Sequence, residues 1–166
     1  EALDLAGMPQ NSPDLDLSQL RVLVAEDNIV NQQVIRGLLE MMRILPEIVS
    51  NGAEAVRGVE AGSLDVVLMD CQMPGMNGYE ATQFIRANEE RRRETSPVRI
   101  IAMTAHAMAG DRERALASGM DDYLTKPFSL DDLQRALSRA AWRRAGGHPA
   151  DTHAAPVMVS PAVEVR

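Results

Sequence analysis

Five short apolar runs, each followed by a segment with helical spacing, constrain the fold of this chain more than any other feature of its sequence. The runs lie at 21–25, 47–50, 64–69, 98–103 and 122–125, and the helical segments lie at 28–42, 53–61, 79–92, 107–118 and from Ser129 onwards. Strands that are almost continuously apolar and alternate with helices are typical of parallel sheets covered by helices on both faces. The sequence therefore predicts an α/β protein with a doubly wound, five-stranded parallel sheet.

The order of the strands can also be predicted. Sheets built from five such units most often have the strand order 2-1-3-4-5, with right-handed crossovers. Pro46 immediately precedes the second apolar run. A proline is tolerated near the start of a strand or at the edge of a sheet, and this order places the second strand at an edge. Both observations therefore favour the order 2-1-3-4-5.

The composition changes at both ends of the chain. Residues 1–19 contain scattered acids, glycine and proline without a sustained period, and residues 145–166 are rich in proline and alanine. Such segments are typical of linkers or disordered tails. We therefore predict one folded domain at 20–144 between two linkers. Because the chain begins with Glu1 rather than Met, we expect it to be a fragment of a longer protein.

Charge and composition exclude several classes of function. The net charge of -7 argues against a nucleic-acid partner, and the sequence contains neither of the glycine-rich phosphate-binding motifs of nucleotide-binding proteins. A single cysteine, Cys71, excludes an internal disulfide framework and a multi-thiolate metal site. No apolar run is long enough to span a membrane, so we expect a cytoplasmic domain without direct membrane contact, although a parent protein could be membrane-anchored.

Chemically active residues follow four of the five predicted strands. Glu26 and Asp27 follow the first strand, Asp70 the third, Thr104 the fourth and Lys126 the fifth. In such sheets, ligands bind beyond the carboxyl ends of the strands. Three carboxylates in one crevice repel one another, and either protonation or a hard divalent cation relieves that repulsion; Mg²⁺ suits this donor set. A lysine and a hydroxyl could then contact a phosphoryl group, with Asp70 as its acceptor in an acyl phosphate.

Each of these residues also has a simpler interpretation. Glu26 and Asp27 could cap the first helix, and Thr104 could be the N-cap of the fourth. Asp70 could be an ordinary loop aspartate, and Lys126, the only lysine of the chain, could be a surface residue. No single position is specific, but the occurrence of all five at successive strand ends is.

Four segments of the sequence resemble the signature blocks of a response-regulator receiver domain. These segments are VLVAEDNIVNQQV, VVLMDCQMPGMNGYEAT, IIAMTAHAM and GMDDYLTKPF, and the resemblance covers about 20–143. The sequences of these segments are most similar to those of receiver domains from bacterial hybrid sensor histidine kinases. The resemblance implies the flavodoxin-like receiver fold. The chain departs from the family at MMRILPEI, because Arg43 and Ile44 stand where the family usually has a small residue or glycine and an aromatic residue.

The resemblance implies a role for each matching residue of the acidic cluster. Asp70 would accept a phosphoryl group from phosphohistidine. Glu26, Asp27 and Asp70 would hold Mg²⁺ together with the main-chain carbonyl of Gln72. Lys126 would pair with the phosphoryl group and would precede Pro127 through a cis peptide bond.

The resemblance also implies a conformational switch. Thr104 would move towards the phosphoryl group, Tyr123 would turn into the space that Thr104 leaves, and the face formed by the fourth helix, fifth strand and fifth helix would change. Gln72 and His106 would tune the hydrolysis of the acyl phosphate. From the residues alone, His106 could equally be an exposed histidine in the first turn of a helix, and Cys71 is more simply explained as a small buried apolar residue than as a reactive thiol.

These implications describe a phosphoacceptor domain of a two-component phosphorelay, with at most slow self-dephosphorylation and no further enzymatic activity of its own. Its partners would be a histidine kinase core in the same parent chain, a histidine phosphotransfer protein and, in a homodimer, a second copy. One alternative is a stand-alone single-domain response regulator, and another is a degenerate receiver that only binds partners. A third is a Mg²⁺-dependent phosphatase similar to haloacid dehalogenases, which needs a second aspartate where this chain has Gln72.

Overall fold

The computed structural model describes residues 16–106 and 108–146, which contain five parallel strands in the order β2-β1-β3-β4-β5. The strands are β1 (Val22–Ala25), β2 (Glu47–Val49), β3 (Val66–Asp70), β4 (Arg99–Thr104) and β5 (Asp122–Thr125). The helices are α1 (Ile29–Met41), α2 (Gly52–Glu60), α3 (Gly78–Arg92), α4 (Ala109–Ser118) and α5 (Leu130–Arg144). The predicted fold class and strand order are confirmed, and β2 lies at an edge immediately after Pro46.

Two separate cores cover the two faces of the sheet. Alternate residues of β3 point to opposite faces, so Val67 and Met69 belong to one core and Val66 and Leu68 to the other. The first core packs against α2, α3 and α4, and the second packs against α1 and α5. Because all five residues of β3 are buried, the last of them, Asp70, is held at the centre of the sheet edge.

Helix α1 forms where the sequence predicts it, but it has two different apolar faces. Its N-cap is Asn28, whose side chain accepts hydrogen bonds from the main-chain N–H groups of Val30 and Asn31. The alternative in which Glu26 or Asp27 caps this helix is therefore wrong. Val30 and Val34 are 65% and 58% exposed, whereas the residues that the helix buries are Gln32, Ile35 and Leu39.

The turn between α1 and β2 accommodates the two residues at which the sequence departs from the family pattern. Arg43 adopts a left-handed backbone conformation with φ 61°, which residues other than glycine rarely adopt. The next side chain, Ile44, is fully buried in the core that packs against α1 and α5. Ile44 therefore fills the interior at this turn, at the cost of a strained backbone at Arg43.

Helix α3 begins directly against the end of β3 because its first residue is glycine. A Cβ atom on Gly78 would lie 2.2 Å from the carbonyl oxygen of Asp70, so no larger residue fits there. Asn77 and Glu80 form a capping box at this end of the helix. Ser129 and Asp132 form the capping box of α5.

The predicted start of helix α4 is corrected by the structure. Helix α4 begins at Ala109 rather than at 107, and its N-cap Met108 makes no side-chain capping hydrogen bond, while residue 107 lies outside the described residues. Thr104 is the last residue of β4, so its alternative role as the N-cap of this helix is wrong. The predicted linker at 1–19 includes a short 3-10 helix, Leu17–Gln19, and Leu17 packs against the core beneath α5.

The remaining parts of the predicted linkers, residues 1–15 and 147–166, lie outside the described residues, so their assignment stays a prediction. Among the helices of the described residues, none combines the length and the apolar character that crossing a membrane requires.

Candidate functional site

Three carboxylates from two neighbouring strands meet at the carboxyl edge of the sheet. Glu26 and Asp27 follow β1, and Asp70 is the last residue of β3. Each offers one oxygen, and the three oxygens lie within 4.8 Å of one another. Glu26 and Asp70 are only 1% and 4% exposed, whereas Asp27 is exposed. The cluster therefore has two buried acids and one acid that faces solvent.

Lys126 provides the positive charge of this cluster. Its Nζ lies 3.0 Å from Glu26 Oε2 and 3.4 Å from Asp70 Oδ1. The main-chain N–H of Lys126 donates to the carbonyl of Thr104 at 2.7 Å, which ties the end of β5 to the end of β4. The Lys126–Pro127 peptide bond is cis, as the family resemblance implied. The alternative in which Lys126 is only a surface lysine is therefore wrong.

The surroundings shift the pKa values of the two buried acids in opposite directions. The pKa of Asp70 is raised to about 6. Burial is the largest cause and the nearby Glu26 carboxylate acts in the same direction, whereas the Gln72 N–H and Lys126 lower the pKa. Burial also raises the pKa of Glu26, but the N–H of Asn28 and the Lys126 ammonium together lower it below its ordinary value. Glu26 is therefore the more strongly ionised of the two buried acids.

The ammonium of Lys126 remains charged in this setting. Burial lowers its pKa, but Glu26 and Asp70 outweigh that effect and raise the pKa above its ordinary value. Three carboxylates facing a single ammonium leave the cluster with an excess of negative charge. An all-oxygen donor set with unrelieved negative charge fits a hard divalent cation such as Mg²⁺, and Glu26, Asp27 and Asp70 are the residues that could hold it.

The backbone after Asp70 is fixed by hydrogen bonds. The N–H of Gln72 donates to Asp70 Oδ1 at 3.1 Å, and the N–H of Cys71 donates to the carbonyl of Met103 at 3.0 Å. Cys71 is 3% exposed, and burial raises the pKa of its thiol. These features support Cys71 as a buried packing residue, while the ligand role of the Gln72 carbonyl stays a prediction.

Thr104 lies at the end of β4, where its hydroxyl is bonded to the following loop. Thr104 Oγ1 donates to the carbonyl of His106 at 3.1 Å and accepts its N–H at 3.2 Å. His106 is exposed and precedes α4, so the alternative that places it in the first helical turn is wrong. Both residues line a cavity of about 420 Å³ together with Gln72, which directly follows the Asp70–Cys71 pair.

Tyr123 lies on β5 and is half-buried. The guanidinium of Arg112, on α4, lies 5.7 Å from the centre of its ring. Tyr123 and Thr104 border a second cavity, of about 430 Å³, between the sheet and α4. Helix α4 buries only Ala115 and Ser118, so few contacts hold it against this cavity. The two predicted switch residues thus share one open space, and their movement stays a prediction.

Two features beside the site were not predicted from the sequence. The first is Gln32, whose side-chain amide donates to the main-chain carbonyl of Glu26 at 2.6 Å. The sequence feature that could have identified Gln32 is its helical spacing with the apolar residues Ile35 and Leu39, which are buried on the same face. The second is the outward apolar face of α1, formed by Ile29, Val30 and Val34. Its signal is a second apolar stripe on a helix that already has a buried face.

Comparison with known proteins gives one family. A family model described as the response regulator receiver domain matches residues 22–138. The chain is 46% identical over 125 residues to the sensor protein GacS of Pseudomonas syringae pv. syringae, covering 75% of this chain and 14% of that protein. It is 39% identical over 123 residues to hybrid signal transduction histidine kinase G of Dictyostelium discoideum, covering 73% and 4%. The chain therefore spans only a small part of these relatives.

Solved structures of similar domains agree with this match. One is the receiver domain of sensor histidine kinase PA1611 from Pseudomonas aeruginosa PAO1, with a magnesium ion coordinated in its active-site cleft. It is 47% identical, has a TM-score of 0.66, and the match covers 74% of this chain and 97% of that one. Another is the receiver domain of Saccharomyces cerevisiae Ssk1 in complex with the histidine phosphotransfer protein Ypd1, at 36% identity, a TM-score of 0.71 and 76% and 91% coverage.

Proposed function

The chain belongs to the response regulator receiver domain family, and from that premise we propose that it accepts a phosphoryl group from phosphohistidine onto Asp70 in the presence of Mg²⁺. The observation that carries this proposal is the position of Asp70. It is a buried strand-end carboxylate with two other carboxylates within 4.8 Å and the ammonium of Lys126 at 3.4 Å. Burying several carboxylates close together costs free energy, so we explain the cluster as a site for a positively charged ligand.

The transfer is a displacement at phosphorus. A carboxylate oxygen of Asp70 forms a bond to phosphorus as the bond from phosphorus to the imidazole nitrogen breaks. The imidazole keeps that electron pair and takes a proton from solvent, and Asp70 becomes an acyl phosphate. Asp70 Oδ1 already accepts the Gln72 N–H and contacts Lys126, so the transferred group would be bound where an ammonium is in place. Bound Mg²⁺ supplies further positive charge to the phosphoryl oxygens.

An acceptor explains the site better than a phosphatase does. A phosphatase of the haloacid dehalogenase type needs an acid two residues after the nucleophile, and the side chain of Gln72 cannot donate a proton as a carboxylic acid does. Gln72 and His106 line the cavity that follows Asp70. We propose that they limit the access of water to the acyl phosphate, which leaves slow self-dephosphorylation as the only turnover.

The relatives and the outer face of α1 support a specific kind of partner. Two similar proteins are hybrid kinases or sensor proteins, and a similar receiver is solved with a histidine phosphotransfer protein. The outward apolar face of α1 consists of Ile29, Val30 and Val34, which are all more than half exposed. This face starts two residues after Asp27. An apolar patch this close to the acceptor would dock the helices that carry a phosphohistidine.

This docking face has its own test. We expect Val34→Glu to slow phosphotransfer from a phosphorylated histidine phosphotransfer protein such as Ypd1 by about tenfold. Labelling by acetyl phosphate, which needs no docking, should be unchanged. The matched control is Phe84→Glu, because Phe84 is a similarly exposed apolar residue on α3. Equal slowing by both variants would contradict the assignment of α1.

The wider setting follows from the same relatives. We propose that the chain is the receiver portion of a cytoplasmic hybrid histidine kinase, with the kinase core as donor and a phosphotransfer protein as the next acceptor. A stand-alone single-domain response regulator is the alternative. A second copy of the chain is a further proposed partner. The two copies would pair through the surface of α4, β5 and α5, and this dimer would form after phosphorylation.

Intact-mass measurement tests the proposed function. With acetyl phosphate and Mg²⁺, the protein should gain one phosphoryl group, and it should gain none after treatment with EDTA. Asp70→Asn should gain none under either condition. Phosphorylation that persists in Asp70→Asn would contradict the proposal. Steady release of phosphate from unrelated phosphoesters would favour the phosphatase instead.

A further inference from the structure

Gln32 is a polar side chain on the buried face of α1. It is 8% exposed and shares that face with Ile35 and Leu39. A buried amide is costly unless it is hydrogen-bonded. Gln32 Nε2 donates to the carbonyl oxygen of Glu26 at 2.6 Å and to Ser50 Oγ at 3.2 Å. The side-chain amide therefore donates hydrogen bonds to the two segments that follow β1 and β2.

The bond to Glu26 fixes more than one atom. That carbonyl belongs to the peptide unit that joins Glu26 to Asp27, and a peptide unit is planar and rigid. Holding its oxygen therefore fixes the plane from which Asp27 continues. The N–H of Glu26 donates to the carbonyl of Val49 at 3.1 Å. Both main-chain groups of Glu26 are thus bonded, one to the end of β2 and one to Gln32.

The bond to Ser50 connects this arrangement to α2. The N–H of Ser50 donates to Glu54 Oε2 at 2.9 Å, and Glu54 lies in the first turn of α2. Gln32 therefore bridges two loops that border the acidic cluster. Residues 26–28, which carry two of the three carboxylates, lie outside any helix or strand and depend on such bonds for their position.

From this geometry we infer that Gln32 is a positioning residue, which holds the Glu26–Asp27 peptide in the orientation that divalent cation binding requires. The inference rests on the proposed function, because it assigns a purpose to the acidic cluster. Gln32 contacts a main-chain carbonyl and not the carboxylates themselves, so it acts through the backbone. Residues that orient metal ligands in this way typically change metal affinity by 10–100-fold when they are replaced.

Gln32→Met tests the inference, because methionine has similar length and no donor. We expect the Mg²⁺ dissociation constant, measured by isothermal titration calorimetry, to rise about tenfold. The matched control is Gln33→Met, the same substitution at the neighbouring exposed position, which should leave Mg²⁺ affinity unchanged. Ser50→Ala removes only the longer of the two bonds and should weaken Mg²⁺ binding by a smaller factor.

A second readout needs no metal. The N–H of Asn28 donates to Glu26 Oε1 at 3.1 Å, so a loosened Glu26–Asp27 segment exposes it. In EDTA, the amide of Asn28 should exchange with solvent deuterium faster in Gln32→Met than in Gln33→Met. A lost packing contact elsewhere on α1 would instead change the exchange of the helix interior.

Several outcomes would overturn the inference. One is a folded Gln32→Met protein with the Mg²⁺ affinity of the unmodified chain, and another is an equal loss in Gln33→Met. Should Gln32→Met fail to fold, unchanged Mg²⁺ affinity in Ser50→Ala would also overturn it. If the unmodified chain bound Mg²⁺ but took no phosphoryl group from acetyl phosphate, the proposed function would fail, while the comparison of Mg²⁺ affinities would still decide the role of Gln32. If it bound no Mg²⁺, both would fail.

Discussion

Asp70 is held in surroundings that disfavour its charged form. Its pKa is raised from 3.8 to about 6, chiefly by burial and then by the neighbouring Glu26 carboxylate, against the opposing effects of Gln72 and Lys126. A carboxyl whose pKa is higher in the folded state than in the unfolded state destabilises the fold when it is ionised. This cost is present above about pH 6 and disappears as the pH falls towards 4. The reactive residue therefore reduces the stability of the metal-free protein at neutral pH.

Asp70→Asn removes that cost because asparagine carries no charge. In EDTA at pH 7.5, we expect the free energy of unfolding to increase by about 1–3 kcal/mol, with the upper value as a limit because the contact with Lys126 is also lost. The gain should shrink as the pH is lowered from about 6 to about 4. Urea denaturation at a series of pH values measures it. A loss of stability at pH 7.5, or a gain that is independent of pH, would contradict the electrostatic explanation.

The residues of the site differ in how far the sequence predicts them. The sequence places Glu26, Asp27, Asp70 and Lys126 at the ends of apolar runs. Because parallel strands bring their carboxyl ends to one edge of the sheet, the proximity of these residues follows from the pattern. The partners of Gln32 are a main-chain carbonyl and a serine hydroxyl from two loops. Such contacts depend on how the loops are placed and not on any spacing in the sequence, so the sequence alone does not predict them.

At the scale of elements, the turn between α1 and β2 carries strain that can be measured. Arg43 has φ 61°, in the left-handed region that is costly for residues with a Cβ atom. Arg43→Gly should increase the free energy of unfolding by about 0.5–1 kcal/mol, because relief of strain exceeds the added entropy of the unfolded chain. The control, Arg43→Ala, keeps the Cβ atom and should give no gain. Denaturation midpoints measure both, and an equal response of the two variants would rule out backbone strain as the cause.

Helix α4 is the element that we expect to respond to phosphorylation. It buries few residues, lacks a side-chain cap and lies over the cavity bordered by Thr104 and Tyr123. Addition of beryllofluoride, a mimic of the phosphoryl group, with Mg²⁺ should shift NMR signals across 104–125. This is expected because Thr104 would leave its bonds to His106 and move towards the acceptor.

Asp70→Asn provides the control for this experiment and should show none of these shifts. Shifts that remain confined to the immediate neighbours of Asp70 would contradict the predicted switch. Shifts at Thr104 without shifts at Tyr123 would show that Thr104 moves towards the acceptor without the rotation of Tyr123.

At the scale of the whole molecule, the sequence predicts the architecture because short local patterns determine how distant segments pair in the sheet. Apolar runs alternate with helical segments, and Pro46 identifies an edge strand, so fold class and strand order follow. What the pattern does not predict is which of two apolar stripes on α1 faces the sheet, since both have helical spacing. The packing of Leu17 beneath α5 is equally unpredictable, because three residues are too few to show a period.

The central claim is that the carboxylate of Asp70 becomes the acyl phosphate, and mapping the modified residue tests it most directly. Protein phosphorylated with acetyl phosphate and Mg²⁺ is treated with hydroxylamine, which attacks the acyl carbon, displaces phosphate and leaves a stable hydroxamate. Trypsin then releases residues 58–86, whose carboxylates are Glu60, Asp65, Asp70 and Glu80, and fragmentation mass spectrometry distinguishes them. We predict the hydroxamate at Asp70 alone. A hydroxamate at Glu26 or Asp27, or a phosphoryl group found on His106, would contradict the claim.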